Sequence, residues 1–324
     1  MSLSHRQLSS WYHQLAQQLE AGLPFIDAVR SARGTGLPSA GVEAIAGTIE
    51  AGGTTTDAWN AAERWLPRAD RLVLSAAGES GRTPAVLTSL AHRHQQLGAA
   101  KRRAVLACIY PLLLLHVGLI VLPLTGMIDW EKGFTWNPAA YARTLAVTLL
   151  PLWIVVGVLG ILIRRQHPVV TRPARMLPII GNYFRAQSLA DFAFALESFL
   201  AAGVRIDRAW TLTGSIVNDP ALKRAAAAMH EAMARGERPG PQLAAWPCFP
   251  PDFAALYLTG EASGRLEQNL LRLASQQQDR AKRALTLGTL VYPSLGLAAI
   301  AGVVVVHVIR FYAGYLKMIE QLAS

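Results

Sequence analysis

AVLACIYPLLLLHVGLIVLPL, Ala104 to Leu124, decides the architecture, because it runs for 21 residues without a Lys, Arg, Asp or Glu. A hydrocarbon core of about 30 Å is crossed by about 20 helical residues, so this stretch reads as a transmembrane helix. Leu145–Ile163 (19 residues) and Thr286–Ile309 (24 residues) pass the same test. Met1 to Gln18 is polar and lacks an apolar h-region, so no cleaved signal peptide is expected there.

The flanks of these spans orient them. Lys101, Arg102 and Arg103 precede the first, Arg164, Arg165, Arg172 and Arg175 follow the second, and Arg280, Lys282 and Arg283 precede the third. Basic residues at span ends mark the cytoplasmic side. The loop Met127 to Arg143 carries only Lys132 and Arg143 against Asp129 and Glu131, with Trp130 and Trp136 suited to an interfacial aromatic belt, so it is expected outside. Three crossings then place the N-terminus and both large polar blocks in the cytoplasm.

Composition agrees with that layout. Of 324 residues, 52% are hydrophobic and 16% charged, and mean hydropathy is +0.27. Of the net charge of +10, residues 1–103, with 11 basic and 8 acidic side chains, contribute +3, and residues 164–285, with 16 and 10, contribute +6. The basic residues crowd the span ends and form no aromatic-interleaved stripe, which argues for membrane flanks and against nucleic acid. Two cysteines, Cys108 in a span and Cys248 in the second polar block, exclude a disulfide scaffold and a four-cysteine zinc ribbon and fit a reducing compartment.

Outward from the first span, the chain repeats itself. LAQQLEAGLPFIDA, Leu15 to Ala28, returns as LESFLAAGVRIDRA, Leu196 to Ala209, with Leu15, Leu19, Gly22 and Ala28 matching Leu196, Leu200, Gly203 and Ala209. AGESGR at Ala77–Arg82 matches TGEASGR at Thr259–Arg265, with one extra residue in the second copy. Leu66-Pro67 and Phe249-Pro250 precede these motifs, and Tyr110-Pro111 and Tyr292-Pro293 follow them inside the spans. Apolar spacings of three and four (Leu8, Tyr12, Leu15, Leu19; Leu266, Leu270, Leu273) predict helices throughout. Gly22 and Gly203 read as helix ends. Each Gly-Glu motif reads as a turn between helices, followed by a stiff rod from about Pro84 to Tyr110, or Leu266 to Tyr292, that the next proline interrupts.

Taken together, the duplicated helical domain, the GE-(x)-SG motif in each copy, the Tyr-Pro pair in the following span and the order of the spans resemble the GspF/PilC family. These are the polytopic inner-membrane platform proteins of type II secretion systems and type IV pili. The length is closer to the family's compact members of type IVb or thin-pilus systems. The resemblance covers nearly the whole chain and implies an all-α, polytopic membrane protein without enzymatic activity or cofactor. Its implied partners are a cytoplasmic hexameric assembly ATPase, pilin or pseudopilin subunits, other inner-membrane assembly proteins, membrane lipid, and a second copy in a homodimer or small homo-oligomer. The expected layout is a cytoplasmic helical domain at 1–103, spans at 104–126, 143–165 and 286–310, a periplasmic loop at 127–142, a second cytoplasmic domain at 166–285 and a short periplasmic tail at 311–324.

Several residue groups carry specific expectations. Gly78, Glu79, Gly81 and their counterparts Gly260, Glu261, Gly264 form the candidate partner or turn motif, with Glu79 and Glu261 either capping the following helix or contacting the ATPase or a neighbouring protomer. Tyr110, Pro111, Tyr292 and Pro293 are the span motif. Lys101, Arg102, Arg103, Lys282 and Arg283 are topology and headgroup anchors. Ser294, Ala298 and Gly302 form a small-residue stripe for close helix packing.

GESGRT, Gly78 to Thr83, is too short and lacks the lysine of a phosphate-binding loop, and Ser80 has no histidine base at membrane depth. His92 and His94 sit two apart, on different helix faces, and read as surface residues. His116 and His307 lie in spans without an intramembrane Asp or Glu as relay partner, so they read as neutral helix contacts, which disfavours the alternative of a small polytopic transporter. No convergent nucleophile, base or metal set points to a membrane enzyme.

Overall fold

The computed structural model describes residues 3–32, 36–125, 127–129, 133–134, 136–164 and 178–323. Trp130, Glu131, Lys132, Arg165, Arg172 and Arg175 lie outside the described residues, as do the side chains of Cys108 and His307. Among the described residues, regular structure is helical apart from one short antiparallel pairing, in which β1 (Ile128–Asp129) sets Ile128 opposite Phe134 of β2 (Gly133–Phe134). The chain divides into two compact units: residues 1–101 with 183–282, and residues 102–182 with 283–324.

The first unit opens with α1 (His5–Glu20), α2 (Phe25–Ser31), α3 (Ser39–Glu50), α4 (Thr55–Ala61), α5 (Arg68–Ser80) and the start of α6 (Thr83–Thr125). Local rules set these boundaries. Ser4 and Gln7 form a reciprocal capping box at the start of α1, and Thr54 and Asp57 form another at α4, each satisfying backbone donors that have no helical partner. Leu8, Trp11, Tyr12 and Leu15 make one face of α1 and are buried. Trp11 meets Trp65 at 5.1 Å and Trp59 at 6.4 Å between ring centroids, and Phe25 closes on Trp59 at 5.6 Å.

The remainder of this unit comprises α8 (Pro178–Ala201, from residue 183), α9 (Ile206–Ile216), α10 (Pro220–Ala234), α11 (Pro239–Gln242), α12 (Pro251–Ala262) and the start of α13 (Leu266–Ala323). A single 3₁₀ turn, Leu243–Ala245, follows α11. Its aromatic centre is Trp210, 5.1 Å from Phe192 and hydrogen-bonded through Nε1–H to the Tyr257 hydroxyl at 3.0 Å. Both halves bury their side chains in one continuous cluster that includes Trp11, Leu74 and Leu87 together with Phe192, Phe199 and Leu270. Each fully buried large apolar side chain contributes about 2 to 3 kcal/mol. As expected, Gly22 (φ 86°) and Gly203 (φ 81°) stand just beyond the ends of α1 and α8.

The second unit holds the remainder of α6, the β1–β2 pairing, α7 (Pro138–Arg164), the first residues of α8 and the remainder of α13. Among the described residues, one helix, Thr83–Val121, is long and apolar enough to cross a membrane, and a shorter apolar stretch lies at Val304–Leu316. Large apolar side chains stand exposed along all three helices, including Val105, Leu113 and Val121, then Val147, Leu150 and Ile154, then Leu290, Leu295 and Ile309. The Tyr141 hydroxyl donates to the Ile120 carbonyl at 3.0 Å, and the His116 ring lies 5.5 Å from Trp153, tilted by 52°, while bonding through Nδ1 to the Leu112 carbonyl of its own helix.

Two expectations need correction. Pro111 and Pro293 do not interrupt the rods, since α6 and α13 continue through them to Thr125 and Ala323. Proline removes one N–H, but opening the helix there would give up several more backbone hydrogen bonds, so the helix persists. The Gly-Glu motifs are turns between helices only in their second halves: Gly78, Glu79 and Ser80 still belong to the last turn of α5, and Gly260, Glu261 and Ala262 to that of α12, while Gly81 and Ser263–Gly264 make the turn to the next helix.

Candidate functional site

The two Gly-Glu motifs end their helices by the same hydrogen bonding, displaced by one residue. After α5, the Arg82 N–H reaches back to the Ala77 carbonyl at 3.0 Å, with Gly81 in the left-handed region at φ 72°. After α12, the Arg265 N–H reaches the Gly260 carbonyl at 2.9 Å, with Gly264 at φ 69°. Such closures need a left-handed residue, which glycine supplies without strain. The extra residue of the second motif, Ala262, therefore lengthens the helix and leaves the closure unchanged.

Close packing explains the first glycine of each motif. A Cβ on Gly78 would lie 2.4 Å from the Thr55 Oγ1, and one on Gly260 would lie 2.8 Å from Asn269 Nδ2. Asn269 is buried and donates to the Leu256 carbonyl at 3.1 Å, tying α13 to α12.

Neither glutamate caps the helix that follows it. Each sits at the negative end of its own helix and reaches back to the start of an earlier one, where exposed N–H groups favour a carboxylate. Glu79 Oε1 accepts from the Thr56 hydroxyl, in the first turn of α4, at 3.4 Å. Glu261 accepts from the Gly240 N–H, at the start of α11, at 3.2 and 3.3 Å. Burial pushes the Glu261 carboxyl up, opposed by the Gly240 N–H and the Arg238 charge.

The first motif also joins the two halves of the unit. Arg82 Nη1 donates to the Ala201 carbonyl at the end of α8 at 2.6 Å, and a Cβ on Gly203 would lie 3.4 Å from the Ser80 Cβ. Further along α6, Arg93 pairs with Asp191 of α8 and lies 4.3 Å above the Phe194 ring. Gln187 donates to the same Asp191 at 2.7 Å and accepts from Gln278 of α13 at 3.3 Å.

The basic anchors coincide with the division between units, which falls between Lys101 and Arg102 and again between Lys282 and Arg283. Lys101, Arg102, Arg103 and Arg283 are exposed, while Lys282 pairs with Asp279 at 3.1 Å. Tyr110 is exposed and Tyr292 half-buried. Ser294, Ala298 and Gly302 are exposed on α13, a Cβ on Gly302 would touch nothing within 4 Å, and the Ser294 hydroxyl donates to the Leu290 carbonyl at 2.7 Å.

One polar cluster was not anticipated. His92 is exposed as expected, but His94 is not a surface residue: it is 4% exposed, with Nε2 2.8 Å from Asp70 Oδ2. The Tyr12 hydroxyl donates to the same oxygen at 2.8 Å, and His5 Nδ1 lies 2.8 Å from His94 Nδ1. Burial, then the Asp70 charge and hydrogen bond, push the Tyr12 phenol well up. Burial, then the His94 and Lys101 charges, hold His5 down. The signal was the continuation of the buried stripe Leu87, Leu90, Ala91 to His94 at helical spacing. The cluster is sealed from substrate, since Asp70 is 5% exposed, and it cross-links α1, α5 and α6. Among the described residues no group of three or more His, Cys, Asp or Glu is placed to hold a metal ion.

The family model for type II secretion system protein F matches residues 11–128 and 192–313, two stretches that contain both Gly-Glu motifs. The chain is 29% identical over 312 residues to the type 4 fimbrial assembly protein PilC of Pseudomonas putida, covering 88% of this chain and 77% of that protein. It is 22% identical over 315 residues to the type II secretion system protein F of Pseudomonas aeruginosa, covering 86% and 74%. To the protein F of Aeromonas hydrophila it is 24% identical over 332 residues, covering 94% and 84%.

Proposed function

The chain belongs to the type II secretion system protein F family, and from that membership we propose that it is an inner-membrane platform of a type IV pilus or type II secretion machine. In this reading the repeated helical halves are cytoplasmic, three helices cross the membrane, and the protein couples a cytoplasmic assembly ATPase to insertion of pilin or pseudopilin subunits. The observation that carries it is continuity: α6 and α13 each leave the helical unit at a basic cluster and run without a break into apolar helix. At about 1.5 Å per residue, the 43 residues of α6 make a rod of about 65 Å. A force applied to the helical unit would reach the membrane through stiff backbone.

The boundaries at 1–103, 166–285 and the three spans, the cytoplasmic N-terminus, and the roles of the Gly-Glu motifs and basic flanks as partner and headgroup contacts belong to this proposal. Its test is co-purification with a candidate assembly ATPase from the same organism. The purified chain is expected to hydrolyse no ATP alone and to form a complex with that ATPase. Intrinsic hydrolysis that survives removal of contaminants, or failure to bind the ATPase, overturns the coupling role.

A further inference from the structure

The repeat implies that any contact between the halves has an equivalent with the roles exchanged. Inside the chain, the α5–α6 corner of the first half docks on the α8–α9 corner of the second. Arg82 bonds the Ala201 carbonyl, Ser80 approaches Gly203, and α5 packs on α9. The equivalent surfaces are the α12–α13 corner, bearing Arg265, and the α1–α2 corner, bearing Glu20 and Leu23. No comparable packing joins α12 to α2.

The side chains on those two corners are uncovered. Val204, beside Gly203, is partly buried against the core, whereas its counterpart Leu23, beside Gly22, is 38% exposed. Among the described residues of the helical unit, the large apolar side chains left exposed are Leu23, Leu258 and Leu271, and all three lie at the α1–α2 corner or on α12 and α13. Glu20, the counterpart of Ala201, and Arg265, the counterpart of Arg82, are both exposed and carry opposite charges.

We infer that a second copy of this chain covers these corners: the α12–α13 corner of one copy docks on the α1–α2 corner of the other. The contact repeats between chains what Arg82 and Ser80 do within one. Arg265 meets the end of α1, where the Glu20 carboxylate joins the terminal carbonyls, and Leu258 and Leu23 are covered. A residue in the last turn with a free carbonyl and an added negative charge is a better acceptor for arginine than Ala201 is. The surfaces differ from each other, so two copies related by a two-fold axis make the contact twice.

This inference rests on the repeat but goes beyond the platform role, because it is read from association of this chain alone, with no ATPase present. In a background carrying Cys108→Ala and Cys248→Ser, full-length Glu20→Cys and Arg265→Cys chains bearing different tags are co-expressed and treated in membranes with a short thiol cross-linker. Cross-linking of the Glu20→Cys chain to the Arg265→Cys chain is expected, with like-with-like products minor. Products joining only identical variants, or none, overturn the inference. A second readout is the mass of the full-length protein in lipid nanodiscs. Leu23→Asp and Leu258→Asp, both exposed changes, are each expected to convert the dimer to monomer, and a dimer that persists in both variants overturns the assignment of this surface.

Discussion

Glu197 shows how a single residue couples the fold to pH. It lies on α8, where burial, reinforced by the charge of Glu267, pushes its carboxyl up to about 7 from the usual 4.5, with only a 3.4 Å bond from the Ser198 hydroxyl in opposition. A carboxyl whose folded value is raised favours the native state while protonated. That contribution is full below pH 4.5 and is lost as pH rises through about 7. Glu197→Gln keeps the shape without the charge. Thermal or denaturant unfolding of the full-length protein in detergent is expected to show the variant more stable than wild type by about 2 kcal/mol at pH 8, with the difference vanishing near pH 4.5. An equal difference at both pH values would mean that ionisation is not its cause. The Asp70–His94–Tyr12 cluster belongs to the same scale. Its residues come from three helices that sequence spacing alone could not bring together, although the helical phase of His94 marked it as inward-facing.

At the scale of the element, α6 and α13 are the long helices that, like α8, run from one unit into the other, and their stiffness is open to test. Ala99 and Ala100 lie on α6 just before the basic cluster and are half-buried, so replacing both with glycine costs about 1 kcal/mol each in helix propensity with little loss of packing. Ala281 and Ala284 on α13 are buried, and glycine there would also remove packed methyl groups, which makes the α6 pair the cleaner experiment. The expected outcome of Ala99→Gly with Ala100→Gly is normal membrane insertion and ATPase binding with loss of pilus or substrate assembly. Wild-type assembly, with the helix shown by cysteine-accessibility scanning to be disrupted, would remove α6 as the transmitting element.

For the whole molecule, topology is the decisive measurement. Reporter fusions after Arg103 and at Ala245 are expected to register cytoplasm and a fusion at Gly133 the far side, and a cytoplasmic signal at Gly133 would eliminate the three-span arrangement. By itself, the sequence determined the helical class, the long apolar stretches, the basic clusters and the landmarks of the repeat, because helical periodicity, span length and charge at span ends are local properties of the chain. It also placed Gly22 and Gly203 at helix ends, where a left-handed residue is required. Only the tertiary structure decided that each Gly-Glu motif turns at its second glycine while Gly78–Ser80 and Gly260–Ala262 stay helical, that Glu261 caps α11, and that α6 runs through Pro111. It alone joined two halves separated by more than 80 residues into one unit with a shared core. Those outcomes depend on which surfaces exclude water from one another, and burial is a property of distant segments meeting, on which no local spacing reports.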